Sequence, residues 1–255
     1  MPLTHKRLVQ SAILGCVVVA TACGDYKSTD AASASATHTV TASAAPTTAA
    51  NATGQTQAFA GQTRAPAPAN LSRVKVQTIT DHLVQPWGVE ALRDGRFVVT
   101  EKSGSLRVVT SAGRVLPAIA GVPKVDTAGQ GGLLDVAIDE QHQPLTLCVT
   151  YAEPRPDSKN GTAAACAAAS GSENLTLEPM KVVFRQEPAW QSSLHFGSRL
   201  VFAGPDHMYI TTGERSLPES RVFAQDTNKT LGKVIRLRRD GTAPGDNPFA
   251  GQGEQ

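Results

Sequence analysis

From Val74 onward the chain is a succession of apolar segments of five to seven residues, separated at close intervals by turn-forming pairs. VKVQTIT, FVVTEK, LRVVT, LTLCVTY, RLVFA, HMYITTG and KVIRLR are broken by Asp94-Gly95, Ser103-Gly104, Ala112-Gly113 and Asp240-Gly241. Such pairs mark hairpins and tight loops, because glycine takes the positive φ that these turns need. No stretch keeps a 3.6-residue apolar period between recognisable caps. The pattern predicts an all-β chain.

The order strand, tight turn, strand, tight turn, strand recurs at Gly88 to Val109, Leu133 to Ala168 and Gly197 to Arg238. An antiparallel unit repeating about every 40 to 50 residues suits the blade of a β-propeller, which buries its faces against neighbouring blades. A two-sheet sandwich is the alternative. At this spacing, residues 71–255 supply about three to four blades.

The N-terminal part is of another kind. Residues 31–70 hold 26 Ala, Ser or Thr out of 40, one charge at Arg64, and only Val40 and Phe59 as large apolar side chains. Such a segment cannot bury enough surface to offset its ordering entropy, so residues 23–70 read as a disordered low-complexity tether. Residues 71–255 are the predicted folded part. The formal net charge of the whole chain, +2, offers no field for nucleic acid.

Ahead of the tether, Lys6 and Arg7 flank the apolar run Ala12 to Ala22. The run is too short to span a bilayer but matches the core of a signal peptide over residues 1–22. It ends in Ala20-Thr21-Ala22-Cys23, resembling a bacterial lipobox, with Cys16 as a competing site. Lipidation at Cys23 would anchor a periplasmic protein to a bacterial membrane through a lipid only. Cys148 and Cys166 form no C-x-x-C pair, which argues against zinc. Export makes a disulfide between them permissible, with two buried thiols as the alternative.

His195 precedes one strand, a Gly204-Pro205-Asp206 turn follows, and the next strand ends at Gly213-Glu214. In a hairpin about that turn, opposed residue numbers sum to about 409 to 411, and 195 with 214 gives 409. His195 and Glu214 would then face each other at the open end. A carboxylate on one imidazole nitrogen leaves the other able to remove a proton; the alternative is an exposed ion pair. Gly129-Gln130-Gly131-Gly132 is a second candidate, since glycines permit close approach and an amide can bind a sugar hydroxyl, although such runs are also common as simple turns. No phosphate-binding or dinucleotide-binding glycine pattern opens a helix.

The ordered set Gln85-Pro86-Trp87-Gly88, Gly129-Gln130-Gly131-Gly132-Leu133-Leu134-Asp135, His195-Phe196-Gly197-Ser198-Arg199-Leu200, Gly213-Glu214, Ala224-Gln225-Asp226, Gly232-Lys233-Val234-Ile235-Arg236 and Asp246-Asn247-Pro248-Phe249 resembles the soluble quinoprotein glucose/sorbosone dehydrogenases. It lies nearer their aldose sugar dehydrogenase branch. The resemblance implies a six-bladed propeller that oxidises aldose sugars to lactones with pyrroloquinoline quinone (PQQ) and calcium. It implies that His195 is the general base, that Glu214 supports it and that Gln130 contacts substrate. It does not specify the electron acceptor.

In the family, an Arg-Asn pair, the calcium-binding groups and the basic residues that clamp PQQ follow the part matching Phe249. The resemblance therefore implies an incomplete propeller, a C-terminally truncated member in which the base is present and most of the cofactor grip is not. The rival functions are a non-catalytic anchored scaffold and a calcium-dependent sugar lactonase.

Overall fold

A computed structural model describes residue 59 and residues 75–141 and 144–251. The signal segment, the Cys23 lipidation site and the tether apart from Phe59 lie outside the described residues. Among the described residues no helix is long and apolar enough to cross a membrane.

The strands assort into three antiparallel sheets, and each begins at one of the repeats seen in the sequence. The first holds β1 (Pro86–Ala91), β2 (Phe97–Glu101) and β3 (Ser105–Val109). The second holds β4 (Leu133–Asp139), β5 (Thr146–Pro154), β6 (Asn160–Ser170), the two-residue β7 (Thr176–Leu177) and β8 (Lys181–Arg185), with β7 and β8 both pairing with β6. The third holds β9 (Gly197–Ala203), β10 (His207–Thr212) and β11 (Val234–Arg238). The only α-helix among the described residues is the single turn α1 (Pro218–Arg221), followed by a 3-10 turn at Val222–Gln225. The sheets are separate and open. The all-β expectation holds, although residues 75–80 of VKVQTIT form no strand.

The second sheet is covered on both faces. Leu147, Val149, Tyr151, Ala163 and Ala165 pack with Val98, Leu106 and Val108 of the first sheet, while Cys148, Ala164 and Phe184 pack with Leu200, Met208 and Ile210 of the third. This explains why LTLCVTY reads as a continuous apolar run rather than an alternating one. The alanines of β6 let backbone approach on both sides, and burial overrides alanine's poor strand preference. Cys148 and Cys166 are directly opposed on β5 and β6 and form a disulfide.

Of the first strands, β4 neighbours both β1 and β9 across the sheets, and the same irregularity marks each of the three. Two residues of the first strand face one threonine of the second: Trp87 and Gly88 face Thr100, Leu134 and Asp135 face Thr150, and Ser198 and Arg199 face Thr211. These are β-bulges. In every case the threonine hydroxyl accepts the N–H of the second bulge residue, Gly88, Asp135 or Arg199, at 2.8 to 2.9 Å. Thr100 then donates to Leu134 O at 2.5 Å and Thr150 to Ser198 O at 2.7 Å, so each hydroxyl latches its sheet to the first strand of the next. Both threonines are fully buried, where such bonds are costly to lose.

Candidate active site

The bulge on β9 sets the register of the site. From His207↔Ala203 to Ile210↔Leu200 the paired numbers sum to 410; beyond the bulge, Thr212 pairs with Gly197 and the sum is 409. The backbone continues this pairing through the Gly213 N–H, which donates to Phe196 O at 2.9 Å. A Cβ on Gly213 would overlap the His195 carbonyl, so the close approach requires glycine. The next pair outward is His195 with Glu214, and imidazole Nδ1 contacts Glu214 Oε2.

The two side chains differ in access. The imidazole is 54% exposed and the carboxylate 18%. Burial alone would raise the Glu214 pKa, but its own backbone N–H, the His195 charge and the Ser216 N–H outweigh that and hold the carboxylate below its usual range. With Nδ1 engaged by an anion, neutral His195 keeps its proton on that nitrogen and leaves Nε2 free to accept one.

Gln130 reaches the same place from the loop before β4. Its side-chain Oε1 accepts the His195 N–H at 2.7 Å, and its backbone N–H donates to Ser193 O at 2.8 Å. The amide oxygen is thus engaged by the protein, and the amide NH2 is the group left to face a ligand. Gly129 lies so close to Ser193 that a Cβ would come within 2.6 Å of the Ser193 carbonyl oxygen. The structure brings His195, Glu214 and Gln130 together.

Three further residues build this corner, and no motif read in the sequence points to their place in it. Gln186 is buried and donates to Gly213 O at 2.7 Å, fixing the strand end before Glu214. Asn160, at the start of β6, donates to Asp126 Oδ2 at 2.7 Å. Arg215 is fully buried although it follows Glu214 directly in an apparently polar turn. His195, Ser198, Arg215 and Ser216 all have positive φ without being glycine, a concentration of backbone strain typical of functional sites.

Three arginines near the pair are already engaged. Arg199 lies over the Trp87 ring and bonds Asp135 at 2.8 Å, Arg221 faces Glu214 and donates to Ser216 O, and Arg215 is enclosed. Among the described residues no group of three or more His, Cys, Asp or Glu side chains is placed to hold a metal. A cavity of about 270 Å³, lined by Val234, Ile235, Leu237 and Phe249, includes none of the three site residues.

Comparison with known proteins identifies the lineage. Residues 83–255 match the model of the Glucose / Sorbosone dehydrogenase family. The chain belongs to that family. It is 38% identical over 186 residues to Aldose sugar dehydrogenase YliI of Escherichia coli (strain K12), covering 72% of this chain and 48% of that protein. It is 34% identical over 197 residues to the protein slr1608 of Synechocystis, covering 71% and 47%. The chain thus spans about half the length of these relatives.

Among solved structures, it is similar to the apo form of the soluble aldose sugar dehydrogenase of E. coli, with a TM-score of 0.63 and 34% identity over 68% of this chain and 49% of that one. It is also similar to the PQQ-bound aldose sugar dehydrogenase of Streptomyces coelicolor, with a TM-score of 0.55 and 25% identity over 69% and 51%. His195, Glu214 and Gln130 all fall within the stretch matched by the glucose/sorbosone dehydrogenase model.

Proposed function

We propose that the chain carries the sugar-facing half of an aldose dehydrogenase site, with His195 as the base. The observation that carries this is the contact of His195 Nδ1 with Glu214 at a half-exposed rim. Oxidising a cyclic aldose to its lactone removes a proton from the anomeric hydroxyl and a hydride from the carbon bearing it. His195 Nε2 takes the proton, and Glu214 holds the ring orientation and stabilises the imidazolium that forms. The amide NH2 of Gln130, held beside His195, donates to a sugar oxygen.

PQQ, when bound, would supply the acceptor for the hydride. Arg199, Arg215 and Arg221 are already engaged and offer no free grip on its carboxylates, and among the described residues no acidic side chains cluster to hold a calcium ion. The part assigned to the described residues is the proton and the orientation of the sugar.

The same reading extends to the architecture. The three latched sheets are taken as consecutive blades of a six-bladed propeller, and Thr211 presents the hydroxyl that would latch a further blade. Among the described residues that hydroxyl has no acceptor. The N-terminal segment is taken as a lipoprotein signal that holds the protein at a bacterial membrane facing the periplasm.

The test is dye-linked oxidation of glucose by the full chain with PQQ and calcium added. Oxidation that requires PQQ supports the reading; no oxidation with PQQ and calcium present refutes it for this chain, and absence of PQQ binding points to the anchored-scaffold alternative.

A further inference from the structure

The buried guanidinium of Arg215 grips the backbone on both sides of His195. Its Nε donates to Leu194 O at 2.9 Å, and its Nη2 donates to Ser192 O and, at 2.7 Å, to Asn160 Oδ1. The guanidinium carbon lies 3.8 Å from the centre of the Phe196 ring. Carbonyls one and three residues before His195 and the ring one residue after it are therefore held by one side chain. Ser192 Oγ closes the ring of contacts by donating to Arg215 O at 2.7 Å.

The same group connects the other site residues. Asn160 passes the contact to Asp126, whose other oxygen accepts the Ala128 N–H in the loop leading to Gln130. Glu214 precedes Arg215 in the chain, and the positive φ of Arg215 turns the two side chains apart, one to the rim and one inward.

Burying a cation is expensive, and an apolar residue of similar volume would commonly give equal or greater stability. Here the cost is visible. Nη1 is buried with no hydrogen-bond partner, and burial, opposed by the Asp126 charge, pulls the Arg215 pKa down to about 10. Simple core filling does not account for a fork aimed at two carbonyls of one loop. Lysine, with a single point charge, cannot reproduce that geometry.

We propose that Arg215 is the positioning residue of this site, fixing the His195 ring against Glu214 by clamping Ser192, Leu194 and Phe196. The role, though not the clamp itself, rests on the reading of His195 as base.

The test uses the full chain labelled with 15N-histidine, without quinone, metal or sugar. Long-range 1H–15N spectra at neutral pH report the tautomer of His195, assigned by its absence in His195→Ala. Wild type should show one tautomer, protonated at Nδ1. Arg215→Lys should show averaged ring nitrogens while it still unfolds cooperatively, from a lower midpoint, and keeps the amide protection of β5 and β6. A single unchanged tautomer in folded Arg215→Lys overturns the proposal. If Arg215→Lys does not fold, Asn160→Ala decides in the same way: averaging supports the clamp, and an unchanged ring refutes it. Because no sugar is oxidised in the experiment, its outcome is independent of whether the chain is a dehydrogenase.

Discussion

His195 and Glu214 meet because two residues of β9, Ser198 and Arg199, stand opposite the single residue Thr211 of β10. A regular ladder would keep the sum at 410 and offset the pair by one residue, which in a strand turns a side chain to the opposite face. The bulge that latches sheets elsewhere here aims an imidazole at a carboxylate.

The lowered pKa of Glu214 has a signed consequence for stability. A carboxylate with a depressed folded pKa contributes stability that is complete above its ordinary value of 4.5 and is lost as pH falls through the folded value. Urea midpoints of wild type and Glu214→Gln, compared from about pH 7 to about pH 3, should converge on the acid side, below 4.5. A difference constant across that range would contradict this.

The latch between the second and third sheets can be tested by Thr150→Val, which keeps shape but leaves the Asp135 N–H and the Ser198 carbonyl buried without a partner. The expected loss is about 1 to 3 kcal/mol, read as a lower urea midpoint at unchanged slope. Thr211→Val, at a hydroxyl that joins no second sheet among the described residues, should cost less than half as much.

The disulfide closes a loop of 18 residues by sequence separation. On the chain-entropy account, replacing both cysteines by alanine should cost about 3 kcal/mol. Thermal unfolding of the double variant, compared with wild type under oxidising conditions, checks this. Equal stability would mean that the packing of β5 on β6 is sufficient without the bond.

Much of the fold was legible because hairpins are local. Asp94-Gly95, Ser103-Gly104 and the Gly204-Pro205-Asp206 turn fix where strands reverse, and the turn also fixes the sum that pairs residues around 195 with those around 214. VKVQTIT misled because alternation says which residues share a face but not whether a strand edge is free to pair with. The fork of Arg215 was illegible for another reason. An arginine after Glu214 reads as a solvated charge, and only the tertiary fold shows that Ser192, Leu194 and Asn160 surround it. Gln130 was legible as an amide among glycines, yet its oxygen faces His195 N–H rather than solvent, a partner 65 residues away in sequence.

The most direct test of the account is the rate of PQQ-dependent aldose oxidation by His195→Ala beside wild type, each reconstituted under the same saturating cofactor and calcium. Loss of the proton acceptor should lower kcat by about 10²- to 10⁴-fold, with the fold and the Cys148–Cys166 bond retained. Wild-type kcat in that variant would show that His195 is not the base.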